Sequence, residues 1–199
     1  MITLALARGR LLDEEVALLT KAGYPVGNMI KDSRKLIFEY PNLNMRIFII
    51  RPTDIPSYVE YGAADCGIVG MDTLMEEVHS LYEPLDLGIG KCKLVVAAPN
   101  GFQYSSAKSL RVATKYPRLT REYFSGKGIG AEIVELAPIV GLSDVIVDLT
   151  ATGETLRKNN LTELETIAEV TARFVVNRVS MKVKSEEIKE LIGKLKKVR

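Results

Sequence analysis

This sequence predicts an α/β protein of two lobes, on three observations. Short apolar runs rich in β-branched residues alternate with stretches of helical period in the first half of the chain. A second strand–helix set, reached through residues 85–100, follows from residue 110. The C-terminal stretch 185–197 carries an apolar stripe that needs a sheet to cover, and the first lobe is its expected partner.

The elements follow in order. ITLALA (2–7) reads as a strand; Leu12, Val16 and Leu19 then lie on one helical face, and Gly23 can end that helix. RIFIIRP (46–52) is a strand, and Asp54 is expected to cap the helix IPSYVEYGA, with Pro56 tolerated in its first turn. CGIVG (66–70) is a buried strand, and Asp72 is the expected cap of the helix TLMEEV. KCKLVVAAP (91–99) is a long strand that Pro99 ends. The second set is strand 110–114, helix 117–126, strands 131–136 and 145–149, and helix 153–159. In the last helix, Ile188, Leu191, Ile192 and Leu195 share a face, and Glu186 and Glu187 in its first turn suit the dipole. Strands separated by helices imply parallel sheet with helices on its faces. A chain that crosses between two such lobes and returns puts a cleft at the strand ends.

Composition narrows the chemistry. The net charge of +2 is too small for a general polyanion-binding surface, so neither nucleic acid nor membrane is an expected partner. The basic end KLKKVR reads as a solvated helix C-terminus. Arg8 and Arg10 interrupt the apolar N-terminus, so no secretory signal is expected, and no window is apolar enough for a membrane helix. Cys66 and Cys92 lack metal-ligand spacing and are expected as small buried side chains in a reducing cytoplasm. His79 is the sole histidine, which weakens any His-based metal site or Ser/His/Asp triad.

The stretch VIVDLTATGETL (145–156) carries the most chemistry. An apolar strand ends in Asp148, Thr150, Thr152, Gly153 and Thr155, just before a helix. In an open parallel sheet, ligands bind beyond the carboxyl ends of strands. The first N–H groups of a helix have no internal partners and attract anions. Gly153 lets the backbone approach such an anion, and the threonine hydroxyls can donate to phosphate oxygens. Asp148 would repel phosphate and is better matched to ribose hydroxyls, which makes the stretch a sugar-phosphate cradle. The spacing of a Walker loop is absent. On the residues alone, the same pattern also fits a capped turn.

The longer segment ELAPIVGLSDVIVDLTATGETL (135–156) resembles the signature of the ATP phosphoribosyltransferase family, with Glu135, Gly141, Ser143, Ile146, Asp148, Thr152, Gly153 and Thr155 at its motif spacing. LARGRL (6–11), RPTDIPSYVEYGAADCGIVGMD (51–72), LGIGKCKLVVAAP (87–99), RVATKYP (111–117) and TARFVVNR (171–178) agree with it. The resemblance implies two α/β lobes similar to type II periplasmic binding proteins, with the active site in the interlobe cleft. Lobe I is then expected at 1–90 plus 172–199, and lobe II, carrying the phosphoribosyl pyrophosphate loop, at 91–171.

The implied reaction joins adenine N1 of ATP to C1 of phosphoribosyl pyrophosphate and expels pyrophosphate, the first step of histidine biosynthesis. The resemblance assigns phosphoribosyl pyrophosphate to Asp148, Thr150, Ala151, Thr152, Gly153, Glu154 and Thr155. It assigns ATP to Arg8, Gly9, Arg10, Arg51, Gly70, Asp72 and Glu135, with charge and alignment from Arg8 and Arg10. Many family members carry Lys where Arg8 stands here. On the residues alone, these arginines are equally solvated surface groups and Asp72 only a helix cap. No protein nucleophile is needed, and Mg²⁺ is expected through substrate oxygens rather than protein ligands. The chain length resembles the family's short form, which implies a regulatory subunit similar to histidyl-tRNA synthetase and a homodimer within a hetero-octamer. From a different class, a non-catalytic two-lobed protein that binds or senses a small anion fits the same cradle.

Overall fold

The computed structural model describes residues 1–27, 35–102, 109–134 and 143–199. Within it the chain divides into two compact units, Met1–Gly90 with Thr171–Arg199, and Lys91–Val170. Each unit is built on one sheet.

The first unit holds strands β1 (Ile2–Ala7), β2 (Ile37–Tyr40), β3 (Met45–Ile50), β4 (Cys66–Gly70), β5 (Tyr82–Asp86) and β11 (Ala172–Val176), in the order β2-β3-β1-β4-β11-β5. β1 pairs in parallel with β3 and β4, whereas β2, β11 and β5 run antiparallel to their neighbours. β1 shows why both faces are covered. Ile2, Leu4 and Leu6 join one apolar cluster, and Ala5 and Ala7 join another, as alternation along a strand requires. Val16 and Leu19 of α1 (Leu12–Lys21) cover the first face, together with Ile188, Leu191 and Leu195 of α7 (Ser185–Val198). The C-terminal stripe therefore does cover the first sheet, as its spacing predicts. Ile55 and Val59 of α2 (Ile55–Glu60) cover the second face. α3 (Met71–Glu76) and the short α6 (Ser180–Val183) complete the helices described in this unit.

The second unit holds β6 (Cys92–Pro99), β7 (Ser109–Thr114), β8 (Gly130–Val134), β9 (Val145–Thr150) and β10 (Leu161–Val170), in the order β10-β6-β9-β7-β8. β7 pairs in parallel with β8 and β9, while β6 is antiparallel to both β9 and β10. Val95, Ala97, Ala113, Ile146, Leu156 and Leu161 form a core cluster, and Leu119 and Phe124 of α4 (Pro117–Gly126) are buried as well.

The α/β class stands, with corrections. Both sheets are mixed rather than parallel, because the strands that carry the chain into and out of the second unit run against their neighbours. Asp54 precedes α2 but makes no capping bond, since its residue already sits in right-handed helical conformation within a 3-10 turn. Asp72 lies in the first turn of α3, and Gly70 is the residue before that helix. No helix among the described residues is long and apolar enough to cross a membrane.

Candidate functional site

On the first unit the predicted residues gather at the carboxyl edge of three adjacent strands. The β1–β3 ladder runs to Ala7 opposite Ile50, so Arg8 and Arg51 leave the sheet side by side, and Arg8 N donates to Ile50 O at 2.7 Å. β4, on the other flank of β1, ends at Gly70. Arg8, Gly9, Arg10 and Arg51 are exposed, and Gly9 turns the chain at φ 111° before α1 begins. Asp72 is 9% exposed, and its carboxylate fills the space that a side chain at Gly70 would need. Glycine at 70 is thus what lets that carboxylate fold back to the strand end. Six of the seven residues assigned to ATP therefore share one edge; Glu135 lies outside the described residues, as does Gly141 of the motif.

On the second unit β9 delivers the other group. Val145, Ile146 and Val147 are buried, Asp148 is half-buried and Thr150 is 9% exposed, while Ala151, Thr152, Glu154 and Thr155 face solvent. The strand ends because the chain must enter α5 (Glu154–Lys158), and Gly153 makes that turn at φ 71°. A left-handed residue at the start of a helix is costly for any side chain and nearly free for glycine.

The loop is braced from within. Gly153 N donates to Thr150 Oγ1 at 3.0 Å, and Glu154 N donates to Thr152 Oγ1 at 3.4 Å. Each hydroxyl keeps its own proton for an acceptor outside the loop. α5 has only five residues, so its dipole is weak. Burial pushes the Asp148 carboxyl above its usual range, against the Leu149 N–H and the Lys115 ammonium, which pull it down.

Beside the loop lies a depression of about 350 Å³ lined by Lys93, Thr150, Thr152, Gly153, Arg157 and Glu163, among others. Lys93 is the backbone partner of Thr150 across the β6–β9 ladder and lies 4.0 Å from Glu163. Arg157 Nη1 is 3.3 Å from where a Cβ at Gly153 would sit. Reading the sequence missed these cations. The i, i+4 spacing of Gly153 and Arg157 was a usable signal for one of them; Lys93 is brought in only by strand register. Among the described residues, no group of three or more His, Cys, Asp or Glu side chains is arranged to hold a metal ion.

The ATP phosphoribosyltransferase family profile matches residues 51–197. The ATP phosphoribosyltransferase of Geobacter metallireducens is 52% identical over 98% of this chain and 97% of its own length. The protein of that name from Geobacillus sp. is 46% identical over 100% of this chain and 98% of its own length. A solved structure, the ATP phosphoribosyl transferase (HisG:HisZ) complex from Thermotoga maritima, superposes with a TM-score of 0.84 at 34% identity, covering 100% of this chain and 98% of that one. On this profile and these relatives, the chain belongs to the ATP phosphoribosyltransferase family.

Proposed function

We propose that the chain condenses ATP with phosphoribosyl pyrophosphate, forming N1-(5-phosphoribosyl)-ATP and pyrophosphate at the entry to histidine biosynthesis. The observation that carries this reading is the β9–α5 turn, where a left-handed Gly153 and two braced threonines follow a half-buried acid. The 5′-phosphate takes the Thr150, Thr152 and Thr155 hydroxyls and the loop N–H groups of Ala151 and Thr152, while those of Gly153 and Glu154 hold the threonine hydroxyls in place. Asp148 accepts from the ribose hydroxyls, whose two donated hydrogen bonds offset the cost of ionising a carboxyl that burial disfavours. Arg8 and Arg10, with Arg51 beside them, neutralise the triphosphate of ATP, and Gly70 and Asp72 border the nucleotide.

The chemistry asks little else of the side chains. The lone pair on adenine N1 forms the new bond to C1 as the C1–O bond to pyrophosphate breaks, and that bonding pair leaves on the pyrophosphate oxygen. Alignment of two anionic substrates and stabilisation of the departing charge are what the protein supplies. The described residues do not fit a metal cage of protein side chains. Mg²⁺ would be carried on substrate oxygens rather than held by protein ligands.

The HisG:HisZ name of the Thermotoga complex supports a HisZ partner, and the resemblance to the short form gives that regulatory subunit its likeness to histidyl-tRNA synthetase. With it we place the chain as a homodimer within a hetero-octamer, in the cytoplasm.

A mixing experiment tests the reading. Pyrophosphate release is expected only when ATP and phosphoribosyl pyrophosphate are both present; tight binding of either without turnover would favour a small-anion sensor. In the same assay Thr152→Ala should raise KM for phosphoribosyl pyrophosphate roughly tenfold or more, the loss of one hydrogen bond to a charged group, and leave KM for ATP within about twofold. Equal losses for both substrates count against the cradle.

A further inference from the structure

α1 carries a carboxylate for which the reaction has no use. Glu15 is 0% exposed, and both its oxygens accept from the Ala7 main-chain N–H, at 3.2 and 3.0 Å. That N–H needs a partner because of how the sheet opens. The register of β1 with β4 extends only over Leu4–Cys66 and Ala5–Gly67. Arg8 N turns to β3, where it meets Ile50 O, so the Ala7 N–H on the other side faces the gap that opens beside β4. An unpaired amide buried there would cost about as much as a lost hydrogen bond, and Glu15 closes the gap.

The same bond brackets the cationic turn. Ala7 is the residue before Arg8, and Glu15 N donates to Leu11 O at 3.0 Å, one helical turn after the arginines. Leu12 N donates to Gly9 O at 3.1 Å inside the bracket. Glu14, the neighbouring acid, uses Oε2 to accept from Gly90 N at 2.9 Å, so this first stretch of α1 is fastened at two places. Burial pushes the Glu15 carboxyl well above the usual carboxylate range and Glu14 adds to it, with the Ala7 N–H pulling the other way.

We propose that Glu15 is a positioning residue for ATP, setting the Arg8–Arg10 turn through the Ala7 N–H. The inference rests on the assignment of Arg8 and Arg10 to ATP. It goes beyond amide satisfaction, because misplacing a charged contact by about 1 Å can cost on the order of a hundredfold in rate.

The test reads both Michaelis constants. Glu15→Met, similar in size and without an oxygen, should raise KM for ATP about tenfold and leave KM for phosphoribosyl pyrophosphate within about twofold. Glu15→Gln, which keeps an acceptor oxygen, should bring KM for ATP back to within about twofold of the unsubstituted chain. On an Arg10→Ala background, Glu15→Met should add less than about twofold, since the two act through one turn. Should Glu15→Met fail to fold, Glu15→Asp, one methylene too short to reach Ala7, should raise KM for ATP about threefold. A Gln variant as impaired as Met, an additive double variant, or both Michaelis constants moving together would each overturn the proposal. Arg8→Ala and Arg10→Ala both leaving ATP untouched would instead remove the arginine assignment on which it stands. If they raise KM for ATP and the Met and Asp variants do not, Glu15 alone is excluded.

Discussion

Replacing Gly153 by valine is expected to lower kcat/KM for phosphoribosyl pyrophosphate by about a hundredfold or more, while ATP binding stays within about twofold. Two costs combine. The residue sits at φ 71°, where an L side chain loses roughly 1–2 kcal/mol and a β-branched one is a steric outlier. Its Cβ would also lie 3.3 Å from Arg157 Nη1, on the lining of the depression beside the loop. Strain of about 2 kcal/mol lowers Tm by roughly 4–8 °C in a chain of this size, so the fold survives and the kinetic loss can be read. The hundredfold figure comes from the loop, which must reshape to relieve the strain and so misplaces several phosphate donors at once. Steady-state kinetics with each substrate varied in turn, beside a thermal melt, checks it. An unchanged KM for phosphoribosyl pyrophosphate in a folded Gly153→Val chain would show that the turn does not hold that substrate.

The largest expected loss of stability belongs to Asp65, remote from either group of candidate residues in its role. It is 6% exposed and accepts from Thr3 N at 2.8 Å, Ser180 Oγ at 2.7 Å and Lys184 Nζ at 2.7 and 2.9 Å. Those bonds tie the start of β1 to the junction of α6 and α7, which are distant in sequence. Asp65→Ala leaves the Thr3 N–H and the Lys184 ammonium without their acceptor. Breaking a buried pair this way costs about 3–5 kcal/mol. The lower end applies, because the Lys184 side chain is 33% exposed and reaches water. Tm should fall by roughly 6–12 °C.

The pH dependence of that contribution has a definite sign. Burial pushes the Asp65 carboxyl up, but Lys184, Thr3 N–H and Ser180 together outweigh it and hold it below its usual range. Stabilisation is then present above the ordinary aspartate value of about 4 and is lost as pH falls through the lowered one. Melts of the unsubstituted and Asp65→Asn chains should therefore converge below about pH 4. A gap that widens on acidification would reverse the assignment.

Where the strands were legible, the reason is their pattern. β1, β4 and β9 are nearly continuous apolar runs bounded by glycine or polar residues, and such runs mark central strands buried on both faces. β10 hides for the opposite reason. LTELETIAEV is an edge strand with register shifts between Glu163 and Glu165 and between Thr166 and Ala168, so strict alternation never develops. β5 contains Pro84, which an edge tolerates and which speaks against a strand in sequence. β2 is four residues long, and β11, although apolar, pairs antiparallel between β4 and β5, a placement that no local signal encodes.

The candidate loop was legible because its chemistry is local, with acid, hydroxyls and glycine falling within eight consecutive positions. Arg8, Arg51 and Gly70 are legible singly, but their common edge follows from the order β3-β1-β4. Lys93 and Glu15 were invisible for a related reason. The first is placed by strand register and the second by an amide left over where two strands part. Neither residue type announces a role until its neighbours are known.

The position of β11 also sets an order of events during synthesis. Lys91–Val170 is one uninterrupted stretch, complete before β11 has been made. The first sheet, by contrast, has a vacancy between β4 and β5 until residues 172–176 leave the ribosome. An emerging chain must therefore carry open strand edges through the time needed to translate the whole middle segment, which is when the nascent protein is most exposed to pairing with the wrong neighbour.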